Sequence, residues 1–314
     1  MNTSKTALIL GATGGAGGEI AAALLRRGWT VRALVRNAAR PGLDPRIDWR
    51  EGDAMRAADV AQAAAGADVL VHAVNPPGYR DWDKRVLPML DNSLAAARAN
   101  AARLVLPGTV YNYGPDAFPL LAEDDPQQPL TRKGAIRATM ERRLAEATDV
   151  RSLILRCGDF FGPRAGNNWF AAMIKPGHRV SALLYPGRRG PPHAWAYLPD
   201  VGETVARLLE RESELERFAR FHFAGHFMDD SALLAAVRRA TGNATLPLRA
   251  FPWWLTRLAA PFVVLMRELR EMRYLWREPL QLDNRRLVAW LGAEPHTPLQ
   301  HAVETTLRSF GCVD

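Results

Sequence analysis

The chain has 314 residues, a formal net charge of +8, and an ordinary globular composition with 48% hydrophobic and 24% charged residues. This composition excludes collagen-like, low-complexity and wholly disordered chains, and the length allows a large core. The two cysteines, Cys157 and Cys312, are too few for a disulfide framework, which favours a reducing compartment. The arginines are dispersed and form no basic block, so we predict no nucleic-acid partner.

The N-terminal residues and the longest apolar stretch predict a cytoplasmic protein without a membrane anchor. The N-terminus leads directly into a strand-like run and lacks the apolar region and cleavage site of a signal peptide. The stretch "FPWWLTRLAAPFVVLMRELREMRYLW" is interrupted by Arg257, Arg267, Glu268 and Arg270, so it lacks the roughly 20 apolar residues that a membrane span needs. An amphipathic helix fits it better.

Short apolar runs alternate with helix-like segments through the first half of the chain. The runs "TALIL", "TVRALV", "DVLVHAV", "RLVLPG" and "RSLILR" predict strands buried on both faces. The segments "GGEIAAALLRRG", "RAADVAQAAAG", "DKRVLPMLDNSLAAARANA" and "TRKGAIRATMERRLAEA" have helical spacing. This alternation predicts an α/β fold with a doubly wound parallel sheet, the Rossmann fold.

The second half has a different pattern. After Arg156, loops rich in Pro and Gly are followed by helices predicted near 199–211, 229–240, 253–276 and 299–309. We therefore predict a dinucleotide-binding domain over 1–156 and a smaller, mainly substrate-binding lobe over 157–314, some of whose segments return to the first domain. His222 and His226 in "FHFAGH" fall on a predicted strand and turn, where a spacing of four does not align two rings, so we predict no metal site.

The segment "LILGATGGAGGEIAAALL" contains a candidate phosphate-binding loop between a strand and a helix. Glycine permits a tight turn and lets backbone amides and the helix N-terminus approach a pyrophosphate. A flexible turn is the alternative, but the order of strand, loop and helix favours a dinucleotide site. The predicted cofactor contacts in this loop are Gly11, Thr13, Gly14, Gly15, Ala16 and Gly17.

The residues after the second and third strands favour NADP over NAD. An NAD site has an acidic residue about 20 positions after the glycines, and "VRALVRNAAR" contains none. Arg36 is predicted to bind the 2′-phosphate of NADP, although a solvated surface role is the alternative, and Arg32 is less suitable because it lies within the strand. Asp53, with Ala54 beside it, is predicted to contact the adenine or else to cap a helix.

The carboxyl ends of the predicted strands should line one crevice, because ligands of open α/β sheets bind there. Those ends carry Ala73, Val74 and Asn75, then Thr109, then Asp159. Thr109 has the hydroxyl best suited to hydrogen-bond a substrate carbonyl, although a threonine after a strand often forms a turn.

Several segments together resemble the extended branch of the short-chain dehydrogenase/reductase family, which includes the NAD-dependent epimerases and dehydratases of nucleotide sugars. The likeness extends over nearly the whole chain. It rests on "GATGGAG", "GDAMRAADVAQAAAGADVLVHAV", "RLVLPGTVYNYG", "EDDPQQPLTRKGAIRATME", "LRCGDFFGP" and "WAYLPDVGETVARLLE". The resemblance implies that Thr109 polarises the substrate. It also implies that Lys133 and Arg137 replace the catalytic Tyr-x-x-x-Lys, and that Asp159 replaces an active-site Asn.

This replacement gives a predicted catalytic set of Thr109, Lys133 and Arg137. Arg132, Arg137 and an oxidised nicotinamide would disfavour the ammonium form of Lys133 and let the amine exchange a proton near neutral pH. Phenylpropanoid reductases of the atypical branch are similar in relying on a lysine. Alternatively, Lys133 holds the nicotinamide ribose or is exposed at a helix start. The predicted substrate contacts are Asn75, Tyr111, Asp159, Trp169 and His193, and for His193 a packing role is equally open.

The sequence therefore predicts an NADP-dependent oxidoreductase that acts on a small carbonyl or alcohol. One alternative is a catalytically silent, NADP-binding redox-sensing regulator. Another is a sugar epimerase or dehydratase that uses a different acid or base, such as Asp159. The resemblance also implies a possible homodimer through the helices over 82–100 and 131–147.

Overall fold

The computed structural model describes residues 4–76, 81–164, 168–254, 256, 267 and 270–314. The strands are β1 (Thr6–Leu10), β2 (Thr30–Val35), β3 (Asp48–Glu51), β4 (Val69–His72), β5 (Arg103–Thr109), β6 (Leu120–Leu121), β7 (Ser152–Cys157), β8 (Asp159–Phe161), β9 (Leu183–Tyr185), β10 (His193–Tyr197), β11 (Phe218–Phe223), β12 (His226–Met228), β13 (Leu248–Ala250) and β14 (Gln281–Leu282). The helices are α1 (Gly15–Arg26), α2 (Ala57–Ala64), α3 (Trp82–Ala99), α4 (Arg132–Glu146), α5 (Trp169–Ile174), α6 (Leu198–Glu210), α7 (Asp230–Thr241), α8 (Arg285–Leu291) and α9 (Leu299–Ser309).

A seven-stranded parallel sheet in the order β11-β7-β5-β4-β1-β2-β3 forms the centre of the fold. Its middle strands are buried along their whole length, as continuous apolar runs require. The order reverses direction between β1 and β4, which is where a doubly wound sheet places its ligand crevice. The predicted Rossmann fold is confirmed.

Side-chain caps and glycines fix several helix ends. The Thr131 hydroxyl accepts a hydrogen bond from the Gly134 amide at 3.0 Å and so begins α4. Asp229 begins α7 in the same way, with a 2.8 Å bond from the Ala232 amide, and Gly242 ends that helix at a φ of 65°.

The second half has more strand than its sequence indicated. The helices predicted near 199–211, 229–240 and 299–309 correspond to α6, α7 and α9. Much of the helix predicted over 253–276 lies outside the described residues, and its described end, Met272–Trp276, is a 3₁₀ helix. Where loops were predicted, β8, β10 and β12 form a small sheet. Strands of three to five residues are too short to show a clear hydrophobic period.

Two hydrophobic clusters lie around the large sheet, and a third fills the lobe formed by the smaller sheets. Residues beyond 157 contribute to both parts, because α6 packs on α1 and β11 extends the large sheet beyond β7. The division of the chain at 156 and 157 stays a prediction. Among the described residues, no helix has the length and apolar content needed to cross a bilayer.

Candidate active site

The glycine loop brings the ends of β1 and β4 into contact with α1. Gly11 has a φ of 94°, and a Cβ atom there would lie 2.5 Å from the Ala73 carbonyl oxygen. A Cβ on Gly17 would lie 2.4 Å from the Gly11 carbonyl oxygen. Only glycine fits either position. The absence of a side chain at these two positions lets the loop approach the backbone of Ala73 and Val74 closely.

The first turn of α1 is suited to bind an anion. Gly14 is its N-cap and supplies no side chain to the first amides, and the first turn contains no acidic residue. Thr13 and Gly14 are exposed, and Gly15 and Ala16 are half-buried. The uncapped amides and the positive end of the helix therefore fit the pyrophosphate of a dinucleotide.

Arg36 is available for a ligand, whereas Arg32 has structural partners. Arg32 donates to the Ala63 carbonyl at 2.6 Å and pairs with Asp48 at 3.3 Å. Arg36 is exposed directly after β2 and has no hydrogen bond or ion pair with a described residue. The position of Arg36 is thus compatible with binding the 2′-phosphate of NADP.

Asp53 has a local structural role. Its carboxylate accepts from the Met55 amide at 3.0 Å, and its own amide donates to Asp59 at 2.8 Å. Ala54 is buried, and its carbonyl accepts from the Asn92 side chain at 2.9 Å. A turn of this kind does not exclude a ligand contact, and the predicted adenine contact stays a prediction.

Arg164 is a neighbour of the phosphate loop that the sequence reasoning missed. Its side chain pairs with Glu19 at 3.2 Å, and its Cδ lies 3.1 Å from the position that a Cβ on Gly18 would take. Burial raises the pKa of Glu19, and Arg164 partly offsets this effect. No local motif could have identified this contact, because the loop that carries Arg164 is distant in sequence.

Arg137 connects α4 to the end of β4. Its guanidinium donates to the Asn75 side-chain oxygen at 3.1 Å and lies 5.3 Å from the centre of the Trp82 ring. Arg137 is buried, with 7% of its surface exposed. This guanidinium therefore holds the crevice side of β4 and the start of α3 against α4.

The start of α4 lies against the backbone that follows Thr109. The Thr109 hydroxyl accepts from the Tyr111 amide at 3.3 Å, so the predicted turn-forming role is present. The hydroxyl still has its own proton to donate. A Cβ on Gly134 would lie 2.2 Å from the Tyr111 carbonyl oxygen, which shows how closely α4 approaches this turn. The structure thus brings Lys133, Thr109 and Tyr111 to one end of the sheet.

Lys133 is buried and paired with a residue that the sequence reasoning did not identify. Its side chain is 1% exposed, and its Nζ lies 3.7 Å from Glu271 Oε2. The Lys133 amide also donates to Glu271 Oε1 at 3.0 Å. The alternative of an exposed lysine is therefore wrong. The sequence placed only Arg132 and Arg137 beside this amine, and the structure adds the Glu271 carboxylate as its counter-charge. These residues lie far apart in sequence, so spacing could not have predicted the pair.

Asp159 and His193 form a buried pair within the lobe. The His193 Nε2 lies 2.7 Å from Asp159 Oδ2, and the imidazole stacks on Trp276 with ring centres 4.1 Å apart. Trp169 is also buried and packs against Trp253 and Trp276. Both side chains thus have packing partners in the lobe, and their predicted substrate contacts stay predictions. Asp159 is already engaged by His193, which weighs against its use as an independent acid or base.

His222 takes part in a buried network that joins β11 to β7 and α4. Arg156 bonds to Glu141 at 2.6 Å and to His222 Nε2 at 3.0 Å. Burial, with a smaller contribution from Arg156, lowers the pKa of His222 to about 3, so the ring is neutral at physiological pH. These contacts give His222 a structural role.

Comparisons with known proteins agree with this geometry. The model of a family described as NAD(P)H-binding matches residues 11–168, which is half of the chain. The chain belongs to this NAD(P)H-binding family. A Streptomyces protein named 3-diazoavenalumate denitrifying reductase is 32% identical over 174 residues, which span 51% of this chain and 57% of that protein.

Solved structures of nucleotide-sugar epimerases share the fold. The Thermus thermophilus UDP-glucose 4-epimerase in complex with NAD has a TM-score of 0.73 and 23% identity, over 97% of this chain and 98% of that one. The Thermotoga maritima UDP-glucose 4-epimerase with UDP-glucose has a TM-score of 0.75 and 14% identity, also over 97% and 98%. At these identities the likeness concerns the fold. The predicted resemblance is confirmed for the NAD(P)H-binding family and for the fold.

Proposed function

We propose that this NAD(P)H-binding protein is an NADP-dependent oxidoreductase that acts on a small carbonyl or alcohol. The observation that carries the proposal is the buried amine of Lys133 at the start of α4, beside the turn that follows Thr109. The relative named as a reductase supports this choice over an epimerase. NADPH, when bound, would supply the hydride.

The side chains of the site have complementary roles in this proposal. The Thr109 hydroxyl donates a hydrogen bond to the substrate oxygen, and the Lys133 ammonium gives that oxygen a proton as negative charge develops on it. Glu271 lies 3.7 Å from the amine and is the counter-charge of its ammonium form, the form that can give a proton in the reduction of a carbonyl. Arg137 positions α4 through Asn75 and does not itself transfer a proton.

The preference for NADP over NAD rests on Arg36. This guanidinium is exposed and without an ion pair to a described residue, and no acidic residue occupies the corresponding region of β2. A planar guanidinium can bind a phosphate through two parallel hydrogen bonds. We also infer a cytoplasmic location, because both cysteines are free and buried.

The test is a turnover assay that follows oxidation of NADPH with aldehydes, ketones and nucleotide sugars as substrates. We expect NADPH oxidation that depends on an aldehyde or ketone. Binding of NADPH at micromolar affinity without turnover on the whole panel would contradict the oxidoreductase and favour the second candidate.

The second candidate is a catalytically silent sensor whose NADP occupancy controls a partner. The Lys133–Glu271 ion pair favours it, because the pair already satisfies the amine within the protein. A sensor of this type should change the protection of the amides in 271–276 on binding NADPH, which hydrogen exchange measures. Unchanged protection there would count against the sensor.

A further inference from the structure

A cavity of about 710 Å³ is lined in part by Glu271 and Tyr274. Its described lining comes from the start of α4, from the neighbouring residues Trp253 and Trp254, and from the arginine-rich segment 270–277. Glu271 lines this cavity and also forms the ion pair with Lys133. The Glu271 side chain therefore connects the cavity to the proposed proton donor.

The cavity concentrates positive charge. Arg270, Arg273 and Arg277 are exposed, and none has an ion pair with a described residue. Exposed arginines elsewhere in the chain are often paired, for example Arg285 with Asp283. Glu271 is the only carboxylate among the described lining residues, and it faces Lys133. Clustered guanidinium groups of this kind favour an anionic ligand.

The same cavity has flat aromatic walls. Trp253 is held by a 2.9 Å bond from its indole nitrogen to the Pro186 carbonyl, and the Arg273 guanidinium lies 5.0 Å from its ring centre. Trp254 is 65% exposed, an unusual state for a large aromatic side chain. The Tyr274 hydroxyl donates to the Tyr113 carbonyl at 3.0 Å, which fixes its ring in the wall. A planar conjugated ligand would stack on the tryptophan rings, since the Tyr274 ring already stacks on Phe118 with ring centres 6.4 Å apart.

The polar groups of the lining decide between two classes of aromatic anion. The edge of a nucleotide base presents donors as well as acceptors, and an arginine side chain can only donate to it. Among the described lining residues, Thr131 supplies the only hydroxyl besides Tyr274, and it already caps α4. The cavity therefore matches a simple aromatic carboxylate better than a nucleotide.

We propose that this cavity binds an aromatic carboxylate, with the carboxylate on Arg273 and Arg277 and the ring against Trp253 and Trp254. The identification of that ligand as the substrate rests on the proposed oxidoreductase function. The cavity would then hold the acid end of the substrate, and its carbonyl end would extend toward Lys133.

Calorimetry with cinnamate and with its neutral amide, cinnamamide, tests the cavity without any need for turnover. We expect cinnamate to bind at least tenfold more tightly than cinnamamide. Arg273→Gln and Arg277→Gln should each remove most of that difference, while the exposed Arg179→Gln serves as the matched control and leaves it unchanged. Equal binding of the two compounds, or UDP-glucose binding that depends on the same arginines, would overturn the proposal.

A second measurement separates this proposal from the proposed function. If arginine-dependent binding of cinnamate occurs but NADPH reduces no aldehyde, the cavity assignment stands and the oxidoreductase fails. The parent and Arg273→Gln are also compared in the NADPH-dependent reduction of cinnamaldehyde and of its 4-carboxy derivative. If both proteins reduce both aldehydes at equal rates, the oxidoreductase stands and the carboxylate site fails.

Discussion

At the scale of single residues, Lys133 differs from the tyrosine that the resembling family has at this position, because the two side chains carry different charges when protonated. A phenol is neutral when it carries its proton, whereas a lysine is then charged and needs a counter-charge once it is buried. Glu271 supplies that counter-charge at 3.7 Å. A lysine in this place therefore requires a partner that a tyrosine would not need.

Lys133→Met should lower turnover by about 10²-fold or more, because general acid groups contribute on that order. NADPH affinity should stay within a few-fold of the parent, since methionine keeps the length of the side chain without its charge. Steady-state kinetics and calorimetry measure the two effects, and Lys84→Met on the exposed side of α3 is the control. Loss of NADPH binding would instead show that Lys133 holds the cofactor.

Arg36→Ala should weaken NADPH binding by about 1.5 to 3 kcal/mol, because a charge-assisted contact to phosphate is lost. NADH lacks that phosphate, so its affinity should not change. Calorimetry on both cofactors is the measurement, and the exposed Arg249→Ala in β13 is the control. Equal affinities of the parent protein for NADPH and NADH would refute the NADP assignment.

At the scale of elements, Glu203 joins α6 to the phosphate-loop helix α1. Arg27 donates to both carboxylate oxygens of Glu203, one of these bonds being 2.8 Å, and a hydrogen bond from Arg27 is the main cause that lowers the pKa of Glu203 from 4.5 to about 2. The folded pKa lies below the unfolded value. This pair therefore stabilises the protein above about pH 4.5 and loses its contribution as the pH falls toward 2.

Glu203→Gln should therefore lower the free energy of unfolding at neutral pH by roughly 1 kcal/mol, a value reduced by solvent screening. The variant should also lose less stability than the parent when the pH falls from neutral to acidic. Urea denaturation at several pH values measures this. Glu146→Gln, in an exposed pair with Arg142, is the control and should change little. An identical pH dependence in Glu203→Gln and the parent would contradict the prediction.

The sequence predicts features that arise from neighbouring residues more successfully than those that arise from distant ones. The strand ends and the glycine loop could be predicted from a few adjacent residues. A short apolar run indicates a buried strand, and a glycine such as Gly11 permits the positive φ of the turn that follows. The pairing of Lys133 with Glu271 could not, because the tertiary fold alone brings together residues separated by 138 positions. Asp159 and His193 illustrate the same limit, since each had a plausible ligand role until their mutual contact was known.

At the scale of the whole molecule, the predicted homodimer would form through α3 and α4. The exposed positions of α3 include the charged residues Asp83, Lys84 and Arg85, and Asp91 pairs with Arg143 of α4. An interface here would be polar, so its affinity should fall at high salt.

Light scattering at micromolar concentration should therefore give a mass near twice 34.8 kDa at low salt, with a lower value as salt is added. The dependence on salt follows from the charged positions named above, since screening weakens exposed charge pairs. A mass near 34.8 kDa at all salt concentrations would count against the dimer.

The late position of β11 in the chain affects how the protein is made. β11 pairs with β7, and Val201 and Val205 of α6 belong to the hydrophobic cluster beside β1 and α1. During synthesis, the emerging N-terminal portion thus has an uncovered sheet edge and an unfilled core until β11, which ends at residue 223, has left the ribosome. We expect such a nascent chain to be prone to aggregation during that interval, and a fragment that stops at residue 156 should be recovered mainly as aggregate.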